Sequence, residues 1–305
     1  MSAGYGRPVW AEIDLSSIRH NVTALRRATA EGARFCAVVK ADGYGHGAEA
    51  VARQAVALGA DYLAVAVLDE AAFLRSRGFT EPILILGYTP AYSAGAAVGL
   101  NVAQTVFDIE DARALSEAAG AVGGRARVHL KIDTGMGRLG VPPSEAAAFA
   151  LAVSSLPNVE VEGMYTHFAK ADSLDNDYQE KQFAAFKDAL ASVAEAGVRI
   201  PIRHCANSAT IIRFKEAHLD MVRAGISLYG LWPSDEIAGD YFEHRPAMRL
   251  KARLAHIKNV PAGAFLSYGC TFETKRPSRI GTLPLGYADG WTRMLSGKAE
   301  VSIGG

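Results

Sequence analysis

Of 305 residues, 50% are hydrophobic and 21% charged, which suffices for a large α/β domain, alone or with a smaller partner. Basic and acidic side chains balance at 32 each, which excludes the basic footprint of a nucleic-acid binder and the charged blocks of an interaction tail. Cys36, Cys205 and Cys270 give neither a disulfide framework nor zinc-site spacing, no apolar run reaches membrane-spanning length, and Met1–Pro8 lacks the apolar stretch of a signal peptide. The expectation is a cytoplasmic protein with no metal, no nucleic-acid partner and no membrane association.

Pro8–Leu15 alternates like a half-exposed strand. From Arg34 onward, short apolar runs alternate with amphipathic stretches. The runs Arg34–Lys40, Asp61–Val67, Pro82–Gly87 and Asn101–Phe107 predict four buried strands. Arg127–Asp133, Val159–Phe168, Ile202–Ala206 and Met221–Tyr229 predict four more. They are rich in Val, Ile and Leu without clean alternation, as parallel strands covered on both faces should be. Helices are predicted between them at Gly47–Leu58, Asp69–Arg77, Asp108–Ala121, Ser144–Ser155 and Asn176–Ala196, with Asp69, Asp108 and Ser144 as caps.

Eight β-then-α units point to a closed (β/α)8 TIM-type barrel. An open doubly wound sheet is the competing architecture, but its first-turn Gly-x-Gly-x-x-Gly fingerprint is missing. From about Pro246 the pattern becomes strand-like and turn-rich, with Leu250–Val260, Arg279–Leu285 and Glu300–Ile303 as strands. The expected division is an N-terminal strand over 1–15 that joins a mostly β C-terminal domain over 243–305, with the barrel over 16–242. The chain stops directly after the last of these predicted strands, so the β domain is expected to be incomplete.

In such a barrel the chemistry collects at the C-terminal ends of the strands. Lys40 closes the first strand and precedes a glycine-rich loop carrying Tyr44. Arg138 follows the fifth, His167 closes the sixth, Asn207-Ser208 follows the seventh, and Arg223-Ala224-Gly225-Ile226 lies in the eighth. Taken singly, a strand-end lysine is usually solvated, a histidine is usually a satisfied core or surface residue, and an arginine is usually an ion-pair partner. Their joint placement at one mouth is the informative feature. Barrel enzymes often seat a phosphate after strands seven and eight, where this chain offers the Ser208 hydroxyl and the Gly225 and Ile226 amides. A lysine facing a phosphate-anchored aldehyde describes pyridoxal 5'-phosphate.

The segment Val39-Lys40-Ala41-Asp42-Gly43-Tyr44-Gly45-His46-Gly47 resembles the cofactor-lysine signature of bacterial alanine racemases. Lys131–Arg138, His167-Phe168-Ala169, His204–Ser208, Met221–Gly230, Ser267-Tyr268-Gly269 and Leu283–Gly290 continue the resemblance in order over essentially the whole chain. The resemblance implies an isomerase that interconverts L- and D-alanine and supplies D-alanine for peptidoglycan. Lys40 would hold the cofactor as a Schiff base and serve one face of the substrate. Tyr268, contributed by the partner in a homodimer, would serve the other. Tyr44, Asn207, Ser208, Gly225 and Ile226 would hold the phosphate, and His167 would pack on the cofactor ring and link Tyr268 to Arg223. Arg223 would donate to the pyridine nitrogen, and Arg138 would bind near the substrate carboxylate, oriented by a carbamylated Lys131. An always-charged donor at that nitrogen leaves it unprotonated, which discourages transamination.

Three other readings compete. A racemase of relaxed or different substrate preference would share these motifs. A barrel-only cofactor carrier would not need the β segment with Tyr268. A barrel decarboxylase would be expected to set a carboxylate, not Arg223, against the pyridine nitrogen.

Overall fold

The computed structural model describes residues 6–239 and 242–304, so the signal-peptide reading of Met1–Tyr5 lies outside the described residues. In chain order come β1 (Val9–Ile13), α1 (Leu15–Ala28), β2 (Arg34–Val38), α2 (Lys40–Tyr44), α3 (Ala48–Ala57), β3 (Tyr62–Val65), α4 (Leu68–Ser76), β4 (Ile83–Ile85), α5 (Ala94–Gly99), β5 (Ala103–Val106) and α6 (Ile109–Ala121). They are followed by β6 (Ala126–Lys131), α7 (Ala146–Ser154), β7 (Val159–Tyr165), α8 (Asp177–Glu195), β8 (Ile202–His204), α9 (Ser208–Arg213) and β9 (Met221–Ala224). The remaining strands are β10 (Met248–Ala252), β11 (His256–Val260), β12 (Phe265–Leu266), β13 (Phe272–Glu273) and β14 (Ser278–Thr282). Two units result, one Asp14–Ala247 and the other Met1–Ile13 together with Met248–Gly305.

In the first unit, β2 to β9 form one parallel sheet in the order β8-β7-β6-β5-β4-β3-β2-β9. Its two ends meet. The Asp220 amide donates to the Arg203 carbonyl and the Arg223 amide to the Ala206 carbonyl, both at 3.0 Å. The Arg203 guanidinium also grips the Asp220 carboxylate at 2.6 and 2.9 Å. The expected barrel is therefore present. β3, β4 and β5 are buried along their whole length, because helices cover them outside and side chains fill the barrel inside. The two-residue period of a strand sorts the side chains. Cys36, Val38, Tyr62, Ala64, Leu84, Ala103, Ile202 and Met221 pack together as the apolar filling of the barrel, while two larger clusters pack the helices against its outside.

The eighth β-then-α unit does not follow the expected pattern. Met221–Tyr229 is not one strand: β9 ends at Ala224, and Ile226–Tyr229 is a 3-10 turn. The helix that packs against that turn is α1, which precedes the first barrel strand. Its buried face (Ile18, Val22 and Leu25 with Ser17 and Asn21) follows helical spacing, and Asp14 caps it by accepting from the Ser16 and Ser17 amides. Asp108 caps α6 as expected, accepting from the Glu110 amide at 2.8 Å. Asp69 instead lies inside α4. The start of that helix is held by Glu70, whose carboxylate reaches back to the Ala66 and Val67 amides. Ser144 falls within a 3-10 turn, Pro143–Glu145, rather than at a helix cap.

In the second unit, β1 pairs antiparallel with β10 from Val9↔Ala252 to Ile13↔Met248, so the N-terminal strand joins the β region as expected. β11 pairs with β14 and β12 with β13. Leu250–Val260 divides into two strands on either side of Arg253–Ala255. Glu300–Ile303 is not a strand; it has no pairing partner among the described residues, and Val301 and Ile303 stay exposed. A lone segment gains no ladder hydrogen bonds, so propensity cannot hold it extended. Arg7 makes a two-pronged contact with Asp289 at 2.6 and 2.9 Å within this unit.

Candidate active site

A cavity of about 510 Å³ opens at the C-terminal ends of the barrel strands, and its wall includes Lys40, Tyr44, Lys131, Arg138, His167, Asn207, Ser208, Arg223, Gly225 and Ile226. Residues separated by as much as 186 positions in sequence thus meet because parallel strands deliver all their C-terminal ends to one side.

Lys40 leads into an unusual turn. Ala41, Asp42 and Gly43 all lie near φ +50 to +60° and ψ +45 to +50°, and Tyr44 has φ +52°. They form one turn of left-handed helix, at roughly 1–2 kcal/mol for each non-glycine residue. The neighbours hold it there. The Gly43 amide donates to the Val39 carbonyl and the Gly45 amide to the Ala41 carbonyl, both at 2.9 Å. Glu70 accepts from the Ala41 amide, and Asp42 accepts from the Ala48 amide at the start of α3. Strain retained in this way is characteristic of functional positions. Here it brings the Lys40 Nζ to 5.7 Å from the centre of the Tyr44 ring. Burial, with the Arg138 charge, lowers the pKa of the Lys40 ammonium. Burial raises that of the Tyr44 phenol.

In the same cavity wall, α9 begins with Asn207, whose side-chain oxygen caps the helix by accepting from the Thr210 amide at 3.1 Å. The Ser208 Oγ accepts from the Gly225 amide at 2.9 Å and the Ser227 amide at 3.4 Å. With both acceptor positions used, its own hydrogen is left to donate elsewhere. The Ile226 amide donates to nothing among the described residues. A methyl group at Gly225 would stand 3.1 Å from the Tyr44 Oη and 3.8 Å from the Ser208 Oγ, so the missing side chain leaves a small cradle lined by donors. An acceptor-only anion suits it.

Arg223 is buried at the end of β9. Its Nη1 donates to His204 Nδ1 at 2.7 Å, and its Nη2 to the Thr166 carbonyl at 2.9 Å, with His167 Nδ1 and the Cys205 carbonyl at 3.2 Å. Its Nε–H has no acceptor among the described residues. Burial first, then the surrounding cations, hold the His167 and His204 pKa values well below the ordinary range, so both rings are neutral at pH 7. His167 lies two residues beyond the end of β7, not within the strand.

Lys131 ends β6, buried, with its Nζ donating to the Ile132 carbonyl at 2.8 Å and lying 5.3 Å from the centre of the Tyr165 ring. Burial and the Arg223 charge lower its pKa to about 7. Arg138 forms no ion pair among the described residues and lines the same cavity.

Tyr268 belongs to the other unit, on a 3-10 turn and 77% exposed. Two contributors were not singled out from sequence. Tyr165 lies flat on His204 (4.6 Å between ring centres, 7° between planes) and bonds Thr105 at 2.8 Å. His204 is the direct partner of Arg223. The two-residue strand period was a usable signal for one further barrel residue, His129, which precedes Lys131 by two positions within β6.

The alanine racemase N-terminal domain model matches residues 13–233, and the C-terminal domain model matches residues 247–305. The alanine racemase of Desulfovibrio desulfuricans is 56% identical over 99% of this chain and 81% of its own length. That of Desulforamulus reducens is 48% identical over 98% of this chain and 81% of its own. Among solved structures, the Clostridium difficile 630 alanine racemase superimposes with a TM-score of 0.91 at 43% identity, covering 95% of this chain and 76% of that one. The Bacillus anthracis enzyme, solved with bound L-Ala-P, gives 0.91 at 40% identity, covering 97% and 77%. With both domain models matched along nearly the whole chain and a barrel mouth of this composition, the chain belongs to the alanine racemase family.

Proposed function

We propose that this alanine racemase interconverts L- and D-alanine with pyridoxal 5'-phosphate held in the barrel-mouth cavity, using Lys40 and Tyr268 as its two proton-transferring groups. The observation that carries the reading is the arrangement across one cavity. A lysine with a depressed pKa shares the cavity with a cradle of spare donors and with a buried arginine that has an unshared N–H. The residues fit the cofactor at each polar point. The Ser208 hydroxyl, the Tyr44 phenol and the Gly225–Ile226 backbone suit its phosphate, and the Arg223 Nε–H suits an unprotonated ring nitrogen. Bound there, pyridoxal phosphate supplies a ring that withdraws electrons from the carbon losing its proton.

The chain's own residues perform the rest. Burial favours the neutral amine of Lys40, which can then bond covalently to the cofactor and later accept or return a proton on one face of the substrate. Racemisation requires a second group on the opposite face. Tyr268 from a second copy of the chain fills that role, its exposure leaving it available. His167, against the Nη2 of Arg223, orients the phenol. Arg138 takes the substrate carboxylate. The Lys131 amine, largely neutral above pH 7, can attack carbon dioxide and lose a proton, giving a carbamate anion to orient Arg138. The relative with bound L-Ala-P supports an alanine-sized substrate.

The test is direct. The purified protein should show the visible absorbance of a lysine-bound cofactor, and Lys40→Ala should abolish it. With L-alanine in deuterated water, exchange at Cα should accompany formation of D-alanine. Exchange without D-alanine would overturn the two-base assignment, and absence of the lysine-bound absorbance would overturn the cofactor reading. In Tyr268→Phe, exchange starting from L-alanine should fall more than exchange starting from D-alanine.

A further inference from the structure

Arg223 is a fully buried cation that forms no ion pair among the described residues. Its partners are two neutral histidines and two carbonyls. A chain of contacts leads from it to the far end of the barrel. His204 Nε2 stands 2.9 Å from His129 Nδ1, and His129 Nε2 stands 3.2 Å from a carboxylate oxygen of Glu162. Both histidines are wholly buried, and Glu162 is 15% exposed and also meets Arg127 at 3.4 Å.

The two ends dictate the protons between them. Arginine can only donate, so His204 Nδ1 must accept and its Nε2 must carry the hydrogen. That hydrogen goes to His129 Nδ1, leaving His129 Nε2 to donate to Glu162. An ionised carboxylate can only accept, so reasoning from the other end gives the same two tautomers. Glu162 is ionised: burial opposes ionisation, but the hydrogen bond it accepts from His129 and the nearby Arg127 charge lower its pKa.

The backbone is built to allow this. In the pairing of β6 with β7, Val128 faces Val161 but His129 faces Gly163, which makes Glu162 an extra residue in a β-bulge. Bulges redirect side chains and cluster near active sites. Val159 and Val161 pack outward beside Ala126 and Val128, so alternation already turns Glu162 inward, and the bulge then brings Gly163 inward as well. Gly163 makes the room, since a methyl group there would lie 2.4 Å from His129 Nδ1.

We propose that Glu162 is a positioning residue for Arg223, acting through His129 and His204, each held in a single tautomer. It supplies the remote counter-charge that keeps the guanidinium fixed at the cavity floor, where no carboxylate among the described residues bonds to it. This rests on the reading above in which Arg223 faces the cofactor ring; the relay itself can be tested without the cofactor.

In the apoprotein labelled with ¹⁵N-histidine, His129 and His204 should both be neutral at pH 7, protonated at Nε2 only. A proton on Nδ1 of His204, or a cationic ring at either position, overturns the relay. Unfolding equilibria of E162L, R223L and the double variant give the coupling. E162L alone should raise the unfolding constant about tenfold or more. In the R223L background its effect should shrink to about threefold or less, because neither charge is then left alone. Additive effects overturn the proposal. If E162L does not fold, E162Q serves in the same cycle, keeping the acceptor while removing the charge. Pyridoxal phosphate titration separates the two levels: coupling with weakened binding in E162L supports both. Coupling with unchanged binding supports the relay and removes Arg223 from the cofactor.

Discussion

Replacing Gly163 with alanine tests the packing beneath the site most severely. The added methyl would stand 2.4 Å from His129 Nδ1, 2.6 Å from His129 Cε1 and 2.8 Å from the Ile202 carbonyl oxygen. Neither neighbour is a flexible side-chain end: one is a wholly buried ring and the other is backbone of β8. Gly163 is not held at positive φ, so the backbone itself does not oppose the change. Lower chain entropy in the unfolded state would favour alanine by about 0.4–1 kcal/mol. Against this stand about 1–3 kcal/mol of overpacking. Displacing His129 adds about 1–3 kcal/mol for buried groups left without partners. The net is a loss of about 3 kcal/mol. For a unit of this size it should lower the midpoint of thermal unfolding by about 6–12 °C. Calorimetry of the apoprotein, with pyridoxal phosphate titration as a second measurement, checks this. A midpoint equal to wild type or higher would refute the steric argument, since only the entropic gain would then remain.

Other consequences follow from the same geometry. His129, His167 and His204 all have pKa values below the ordinary 6.5 when folded. As pH falls below 6.5 the unfolded chain therefore takes up protons that the native state refuses. Stability, fully present above that pH, should fall by up to about 4 kcal/mol per pH unit if all three stay neutral; urea midpoints unchanged between pH 7 and 5 would contradict the burial argument. Ser208→Ala should weaken pyridoxal phosphate binding at least about tenfold, since it removes a charge-assisted donor and leaves the Gly225 and Ser227 amides without their acceptor. Equilibrium titration reads this, and an unchanged dissociation constant would remove Ser208 from the phosphate seat. Asn21→Ala should destabilise the barrel by about 2–4 kcal/mol, because Asn21 donates to the Leu228 and Arg245 carbonyls and accepts from the Arg245 amide. A small effect in urea unfolding would show that α1 is not needed to close the eighth position.

Much of the fold was legible in the sequence because it depends on local pattern. Runs such as Asp61–Val67 and Pro82–Gly87 are too apolar for a strand with one wet face, and both proved buried throughout their strands. Lys40, Tyr44, Ser208 and Arg223 were identifiable because the ends of parallel strands all face one way, so strand order alone gathers them. Single-residue boundaries were less legible. Asp69 looks like a cap, yet Glu70 does the capping, since a carboxylate one residue later can reach two amides at once. Glu300–Ile303 has strand composition but pairs with nothing among the described residues.

What only the tertiary structure decided concerns long-range register and charge. No local pattern shows that the helix at the eighth position comes from the start of the chain, since that depends on which surface β9 leaves uncovered. Nor does composition show that Glu162 meets His129; that depends on the pairing of β6 with β7, where a one-residue slip sets Gly163 rather than Glu162 opposite His129. The sequence by itself supplied the chemical groups and the strand that carries each. The closed barrel decided which of them lose water, and with it which lysines have a lowered pKa and which histidines stay neutral. Desolvation is a property of the assembled surroundings rather than of any one segment.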